Sequence, residues 1–204
     1  MNVLPRTIAV PRELVGRRVI LRPYEPEDGP AVHEAIDETR AILETMWPEV
    51  QKDVAQTIDW CARAKARWID RDDMPYAMFE RATGRFLGGS GLVRNDWRAR
   101  KFEVGYWVRH SAWGKGFVVE SVALQTRCAF EELGANRVEI RCDAGNTNSA
   151  RVAERAGFPL EATLRRERAR KDGTVCDTLV FAALREDFDR LLSTWSRHFE
   201  PRGS

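Results

Sequence analysis

Two stretches decide the fold of this chain: GYWVRHSAWGKGF at residues 105–117 and RVEIRCDAGNTNSARVAERAGF at residues 137–158. In the first, a strand ending near Arg109 leads into a glycine turn that opens a helix at Phe117. In the second, a strand leads into a short helix that ends at Gly157. Glycines let a backbone close around a phosphate, while unpaired N–H groups and the helix dipole face it. The first stretch therefore predicts a binding site for a pyrophosphate.

The glycine turn alone does not identify the ligand, because Gly-x-Gly is also typical of a tight connection between a strand and a helix. A Rossmann dinucleotide site requires a third glycine, and Val119 stands at that position. A Walker-type phosphate loop requires Ser or Thr after its lysine, whereas Lys115 is followed by Gly116. Both kinds of nucleotide site are excluded by this spacing.

The rest of the chain alternates helices and strands without internal repeats. Alternating apolar residues predict a half-buried strand at 101–109, in which Glu103 lies on the face opposite Phe102 and Val104. Apolar residues at steps of three and four predict a long helix after the glycine turn, closed by Gly134. The other expected strands are 18–22, 76–80, 85–91, 137–143, 160–170 and 175–184, and the other expected helices are 31–44, 53–70 and 148–156. Turn residues at 82–84 and 171–173 predict two hairpins, so the sheet is mixed.

Length and composition are those of a soluble single-domain protein. The 204 residues suffice for one domain with a hydrophobic core, and 43% hydrophobic and 31% charged residues are typical of globular chains. No apolar run approaches the roughly 20 residues of a membrane helix, and no apolar stretch follows the arginines of residues 1–22. We therefore expect a cytoplasmic protein with an extension at 1–16, a domain at 17–190 and a tail at 191–204. Residues 200–204 are expected to be disordered.

Cysteine spacing and charge exclude further classes of protein. The four cysteines form no Cys-x-x-Cys pair and have no histidine at ligand spacing, so we expect neither a metal site nor a redox site: Cys61, Cys128, Cys142 and Cys176. The formal net charge of +2 does not require a nucleic-acid partner. Basic clusters at 98–101 and 165–171 fit a solvated surface or a site for an acidic acceptor, and the sequence leaves both open.

Four motifs together resemble the GNAT superfamily of N-acetyltransferases, in the RimJ/RimL-type branch that acetylates ribosomal-protein N-termini. They are Phe102-Glu103-Val104-Gly105-Tyr106-Trp107-Val108, Trp113-Gly114-Lys115-Gly116-Phe117, Asn146-x-x-Ser149 and Glu154-Arg155-Ala156-Gly157-Phe158. Their order and spacing are family-like, and the resemblance extends more loosely over residues 17–187. It implies an α/β (α+β) single domain with a mixed, mostly antiparallel twisted sheet, helices on both faces and a splayed central pair of strands.

The resemblance implies that acetyl-CoA is the co-substrate, without a metal. The pantetheine arm would pair with the backbone of Trp107 and Val108 and contact the Asn146 side chain. Backbone amides would hold the pyrophosphate: those of Trp113, Gly114, Lys115, Gly116 and Phe117. Ser111 departs from the superfamily signature, which has Gln or Arg there, so one contact to the phosphates is expected to be missing. Asn146 also fits a turn before the helix, Lys115 a solvated position, and Trp113 a cover over the helix start.

Acetyl transfer to an amine needs a base, a donor to the developing oxyanion and a proton for the leaving thiolate. The resemblance makes Glu103 the base, the Val108 amide the oxyanion donor and Ser149 the proton donor. Glu103 equally fits an ion pair with a nearby arginine, and Ser149 equally fits a helix N-cap. Because the motifs contain no cysteine beside a histidine, we expect direct transfer without an acyl-enzyme.

The acceptor amine is inferred from its chemistry and from the branch. An α-amine with a pKa near ~7.8 is easier to neutralise than a lysine amine near ~10.4, by roughly 3.4 kcal/mol. That preference is modest, since burial can lower the pKa of a lysine by a comparable amount. The resemblance to the branch that acetylates N-termini makes a protein N-terminus the leading acceptor. Small amines such as antibiotics, polyamines and aminoacyl nucleotides are the alternative. A CoA-binding module without turnover is a third hypothesis, against which the presence of both Glu103 and Ser149 argues.

The remaining candidate residues are tryptophans and histidines. Trp47, Trp60 and Trp68 fit either the lining of an acceptor cleft or the packing of helix faces. His33, His110 and His198 are scattered and are expected at the surface or in packing. Members of the superfamily are often homodimers, but no seam for a second copy can be read from the sequence.

Overall fold

The computed structural model describes residues 8–47 and 49–199, which form one sheet with helices on both faces. Within these ranges the strands are β1 (Leu14–Val15), β2 (Val19–Pro23), β3 (Met74–Glu80), β4 (Phe86–Asp96), β5 (Lys101–Val108), β6 (Arg137–Asp143), β7 (Leu160–Ala169) and β8 (Val175–Leu184). The helices are α1 (Gly29–Met46), α2 (Val54–Asp70), α3 (Phe117–Glu131), α4 (Thr147–Arg155) and α5 (Phe188–Trp195). The expectation for residues 200–204 lies outside the described residues, as do residues 1–7 of the expected extension.

The sheet has the strand order β1-β2-β3-β4-β5-β6-β8-β7, and its neighbours are antiparallel except for β5 and β6. These two strands are parallel and pair over only three positions, from Lys101 with Arg137 to Glu103 with Glu139. Beyond Glu103 they diverge, which leaves a gap between residues 104–108 of β5 and 140–143 of β6. The predicted mixed sheet with a splayed central pair is therefore confirmed.

Each face of the sheet carries its own hydrophobic core. On one face, α3, α4 and α5 pack against residues such as Phe102 and Val104 of β5. On the other face, α1 and α2 pack against Tyr24 and Phe86. Because successive side chains of a strand point to opposite faces, neighbouring residues of β5 belong to different layers. This alternation determines which side of the gap each functional side chain reaches.

A buried arginine fixes α1 against the end of β5. The Arg109 guanidinium donates to Glu38 Oε2 at 2.7 Å and to Glu34 Oε1 at 2.5 Å, both on α1. Glu38 Oε1 also accepts from the Ser111 amide at 2.5 Å. Burial alone would raise the pKa of Glu38, but these hydrogen bonds lower it to about 2. Helix α1 is thus tied to the turn that precedes α3.

Most predicted elements are present, and the differences lie at the ends of the chain and in β4. Strand β4 continues past Gly91 to Asp96 through an irregular register near Val93. Strand β1 and helix α5 were not expected. Helix α5 crosses position 190, where the sequence predicts the end of the domain, and its Leu191 and Trp195 are fully buried. The first residues of the expected tail therefore belong to the folded unit.

Candidate active site

One large cleft, with a volume of about 1850 Å³, contains almost all of the predicted site residues. Nine of the ten line it, and Lys115 does not. The cleft reaches residues on both faces of the sheet, from Trp60 of α2 to Val152 of α4, so it passes through the gap between β5 and β6. A ligand arm on one face can therefore meet a second molecule on the other.

The glycine turn forms the entrance to α3. Gly114 and Gly116 have φ angles of +71° and +80°, the left-handed region that glycine adopts without steric cost, and Gly116 is the N-cap of the helix. The first amides of α3 have no carbonyl partner within the helix, and they carry the positive end of its dipole. The turn therefore has the geometry of an anion site.

A cation reaches this turn from a distant part of the sequence. The Arg18 guanidinium donates to the Lys115 carbonyl at 2.9 Å and lies 5.1 Å from the centre of the Phe117 ring. It is held there by Glu120 of α3, whose carboxylate also accepts from the Arg18 amide at 2.6 Å. Sequence spacing could not find Arg18, because it lies about a hundred residues before the turn. Ser111 stands apart, with its hydroxyl accepting from Arg85 at 3.1 Å.

The backbone of β5 is free along the gap at alternate residues. The bond from the Arg109 amide to the Leu87 carbonyl sets the alternation of the ladder with β4. By that alternation the Trp107 backbone pairs with β4, while the backbone groups of Tyr106 and Val108 face the gap. The Val108 carbonyl accepts from the Trp113 indole at 3.0 Å. Val108 is thus the better of the two predicted backbone contacts, and Trp107 contributes its side chain to the cleft.

Ser149 lies on the α3 and α4 face, in contact with Tyr106. The two hydroxyls are 2.9 Å apart, and the Tyr106 hydroxyl is also 3.2 Å from the Ser149 carbonyl. Burial raises the pKa of Tyr106, so its hydroxyl keeps its proton at neutral pH. Asn146 is the N-cap of α4, and its Oδ1 accepts from the Ser149 amide at 3.1 Å. The N-cap alternative for Ser149 is therefore wrong, and the expected turn at Asn146 is confirmed.

Glu103 lies on the opposite face, at the wall of the cleft. Its side chain is only 10% exposed and is hydrogen-bonded to Arg94, whose own side chain is 64% exposed. The carboxylate raises the pKa of Arg94, mainly through this hydrogen bond. The sequence allows both a base and an ion pair for Glu103, and the structure contains the ion pair at the edge of the cleft. The role of Glu103 as a base stays a prediction.

Aromatic rings line the part of the cleft beside α1 and α2. The Trp47 and Trp107 rings meet edge to face at 6.0 Å, and Trp60 meets Tyr24 in the same way at 4.8 Å. All four residues line the cleft. Trp68 instead packs in the other core against Tyr76. Trp47 and Trp60 therefore line the cleft, whereas Trp68 packs in a hydrophobic core.

The residues of the basic cluster at 165–171 differ in their surroundings. Arg170 makes two hydrogen bonds to Asp143, at 2.7 and 2.8 Å, and these hold the pKa of Asp143 below its usual range. Arg165 and Arg166 are exposed away from the cleft. Arg168 and Lys171 line the rim, and among residues 8–47 and 49–199 neither has a carboxylate within ion-pair distance. They are two of the cationic side chains of the cleft, which Arg141, Arg151 and Arg155 also line.

The three histidines do not line the cleft. His33 contacts Thr57, His110 meets Trp113 edge to face, and His198 lies near Glu120. Over the described part of the chain, no cluster of three His, Cys, Asp or Glu residues could hold a metal ion. Across the same residues, no helix combines the length and apolar character required to cross a membrane.

Comparison with known proteins agrees with this geometry. Residues 18–159 match the family model described as Acetyltransferase (GNAT) domain. A Bacillus subtilis (strain 168) protein, named provisionally as the ribosomal N-acetyltransferase YdaF, is 28% identical over 183 residues, which are 86% of this chain and 96% of that protein.

Solved structures share the fold at lower sequence identity. The ribosomal L7/L12 alpha-N-protein acetyltransferase RimL, in complex with coenzyme A, superposes with a TM-score of 0.77 at 20% identity, covering 84% of this chain and 97% of its own. The microcin C7 self-immunity acetyltransferase MccE, in complex with acetyl-CoA and AMP, has a TM-score of 0.74 at 17% identity, covering 82% and 93%.

Proposed function

The chain belongs to the acetyltransferase (GNAT) domain family, and from this premise we propose that it transfers the acetyl group of acetyl-CoA directly to the α-amine of a peptide or protein N-terminus. The observation that carries the proposal is the cleft through the gap between β5 and β6, which Glu103 lines from one face and Ser149 from the other. A base and an acid on opposite sides of a narrow gap suit a reaction in which amine and thioester meet within it.

The residues present fit acetyl-CoA. The glycine turn and the first amides of α3 would hold the pyrophosphate, with Arg18 supplying a cation. The Asn146 side chain already caps α4, and its free amide N–H groups could still donate to the pantetheine arm. When bound, acetyl-CoA supplies an activated thioester, and the protein has to position it and manage protons.

Three groups of this chain would perform the transfer. Glu103 accepts a proton from the ammonium of the acceptor, so that a neutral amine can attack the thioester carbonyl. The Val108 N–H, which faces the gap, stabilises the negative charge that develops on the carbonyl oxygen. As the new C–N bond forms and the C–S bond breaks, the Ser149 hydroxyl delivers a proton to the leaving thiolate, and the attacking nitrogen loses its second proton to solvent in the cleft as the amide forms. Ser149 is then reprotonated from solvent, with the neighbouring Tyr106 hydroxyl able to pass a proton on while keeping one of its own.

The test is thiol release from acetyl-CoA with two sets of peptides: one with free N-termini and no lysine, the other blocked at the N-terminus and containing lysine. We expect turnover with the first set and little with the second. Glu103→Gln should lower kcat by about 100-fold. Glu161→Gln, which removes an arginine-paired carboxylate outside the cleft, is the matched control and should retain activity. Full activity of Glu103→Gln would remove Glu103 from the mechanism.

A second candidate acceptor is a small amine that carries a phosphate. The cations Arg168 and Lys171 at the cleft rim favour it, since they are available to an anionic ligand. The structural neighbour MccE is described with AMP as well as acetyl-CoA, which makes a nucleotide-bearing amine the compound to test. An Arg168→Gln and Lys171→Gln double variant should lose activity with such an amine and keep activity with uncharged peptides.

A further inference from the structure

On the face covered by α1 and α2, three residues near the centre of the sheet are glycines. Gly91 of β4 and Gly105 of β5 are direct register partners, and Gly89 is paired with Trp107. All three glycines line the cleft, and Glu103 lies two residues before Gly105 on the same face. The result is a patch of backbone without side chains of its own, partly covered at Gly89 by Tyr24 and Trp107. We call it the glycine trough: Gly89, Gly91 and Gly105.

Two of these glycines are required by packing. A Cβ at Gly89 would clash with the Tyr24 hydroxyl and the Trp107 indole nitrogen, both of which would lie closer to it than 3.0 Å. A Cβ at Gly91 would lie 2.9 Å from the backbone of Met74 and Pro75 on β3. Neither position can take a side chain unless its neighbours move.

Gly105 has no such reason to be glycine. Its φ is outside the left-handed region, and a Cβ would meet only the Val93 methyl groups, at 3.4 and 3.8 Å, an ordinary van der Waals distance. Glycine in a strand loses conformational entropy on folding and contributes no packing, so its use here has a cost that the fold does not explain. The space above Gly105 is part of the cleft, between the Glu103 and Trp107 side chains.

The two ends of the trough differ in chemistry. At one end is the Glu103 carboxylate with its Arg94 partner. At the other end the Trp107 ring meets Trp47, and Trp60 lies nearby. Residues four apart on a strand are separated by about 13 Å, so the trough has room for an amine and one substituent beside it. The carboxylate suits the amine, and the aromatic rings suit an uncharged, apolar substituent.

We propose that the glycine trough is the acceptor subsite, and that it takes a primary amine next to a large apolar group. This rests on the proposed function, within which the acceptor is a peptide whose first side chain is large and apolar. The amine lies above Gly105 toward Glu103, and the first side chain contacts Trp47, Trp60 and Trp107. Peptides that begin with Met, Leu or Phe are then better acceptors than peptides that begin with Asp, Glu or Gly.

Gly105→Ala is the sharpest variant, because the fold gives no reason for it to be harmful. It should leave the melting temperature unchanged or raise it, and should leave the KM for acetyl-CoA within about twofold, since the new methyl group points to the acceptor face. For the peptide acceptor, kcat/KM should fall by about 100-fold, because displacement of a reacting group by one ångström has an effect of that size. Unchanged peptide kinetics in a folded Gly105→Ala protein would overturn the proposal.

The aromatic end is tested with a series of peptides that differ only in the first residue. We expect kcat/KM for Met, Leu and Phe to exceed that for Gly, Asp and Glu by about tenfold or more. Trp60→Leu should reduce this preference. Trp97→Leu is the matched control, since Trp97 is also a partly buried tryptophan but lies outside the cleft, and it should leave the preference intact. Equal rates for all first residues would overturn the inference while leaving N-terminal acetylation in place.

The failure of the proposed function has a different signature. If the wild-type protein acetylates a small amine and no peptide, the peptide acceptor is wrong. The trough would still be supported if Gly105→Ala abolished acetylation of that amine, and overturned if it did not.

Discussion

Ser149 and Tyr106 illustrate what a residue pair can do that neither member does alone. A serine hydroxyl is a poor acid, but one held 2.9 Å from a second, partly buried hydroxyl can pass a proton on and be reprotonated. We predict that Ser149→Ala lowers kcat by about 100-fold and leaves the KM for acetyl-CoA nearly unchanged. Tyr106→Phe keeps the ring and removes the hydroxyl, so it should lower kcat less, by about tenfold.

The control for this pair is Thr147→Ala, which removes an exposed hydroxyl from the first turn of the same helix. Steady-state kinetics of the three variants at saturating acceptor would decide the roles. Full kcat in Ser149→Ala would mean that the thiolate leaves without help from this hydroxyl. If Tyr106→Phe and Thr147→Ala lowered kcat equally, Tyr106 would have no role beyond supporting the fold.

At the residue scale, sequence predicted the motif positions but not their partners. Glu103, Ser149 and Asn146 were identified, and all line the cleft. The partners Arg94 and Tyr106 were not singled out, because a hydrogen bond between different elements leaves no periodic pattern in the sequence. Asn146 and Ser149 both fit the start of α4, since both residue types cap helices, and only the backbone path selects Asn146 as the N-cap.

At the element scale, the glycine turn before α3 can be compared with a second glycine turn of similar backbone conformation. Gly114 has a φ of +71°, and a Cβ added there would meet no atom within 4 Å, so alanine would be strained only by its backbone conformation. We predict that Gly114→Ala costs about 1 kcal/mol of stability and raises the KM for acetyl-CoA about tenfold, because the amides around the phosphates shift and the new methyl group enters the anion site.

The matched control is Gly84→Ala in the turn between β3 and β4. Gly84 has a φ of +70° and equally open surroundings, so the cost to stability should be the same. It does not line the cleft, and its KM for acetyl-CoA should therefore not change. Thermal unfolding and initial rates of both variants separate the conformational cost from the loss of the anion site. If the KM for acetyl-CoA rose equally in Gly114→Ala and Gly84→Ala, the turn before α3 would not be the phosphate site.

Helix α5 is one of the two elements that the sequence did not predict, and its packing explains why it matters. Trp195 is fully buried, and its indole donates to the Ala156 carbonyl at 2.9 Å, at the end of α4. We predict that Trp195→Ala lowers the free energy of unfolding by about 3 to 5 kcal/mol, as large-to-small changes in a core do. Ser193→Ala, on the exposed side of α5, should change it by less than about 0.5 kcal/mol, measured by urea unfolding.

At the scale of the whole molecule, the fold was predictable because local signals agreed with one another. The two hairpins, the long α3 helix and the strands around the gap follow from periodicity and turn residues, and the splayed pair followed from the resemblance. The ends of the chain were not predictable in the same way. Helix α5 is only eight residues long and is stabilised by burial against α3, which is a tertiary effect that periodicity does not reveal.

Helix α1 is held to the turn before α3 by charged groups, and this makes the stability of the protein depend on pH. Partial burial acts to raise the pKa of Glu38, but hydrogen bonds from Arg109 and from the Ser111 amide lower it to about 2. A carboxyl group whose pKa is lower in the folded state than in the unfolded state stabilises the fold above its unfolded pKa. That stabilisation is lost as the pH falls from about 4.5 toward about 2.

We therefore predict that the free energy of unfolding decreases steeply between pH 4.5 and pH 2, and that Glu38→Gln flattens this part of the curve. The variant should also be less stable than the wild type at pH 7, because it leaves the buried Arg109 with one anionic partner fewer. Glu132→Gln, at an exposed carboxylate after α3, is the control and should follow the wild-type curve. Since Arg109 ties α1 to the turn before α3, Glu38→Gln should also raise the acceptor KM at neutral pH. If the free energies of unfolding of Glu38→Gln and the wild type changed in parallel with pH, protonation of Glu38 would not contribute to the loss of stability in acid.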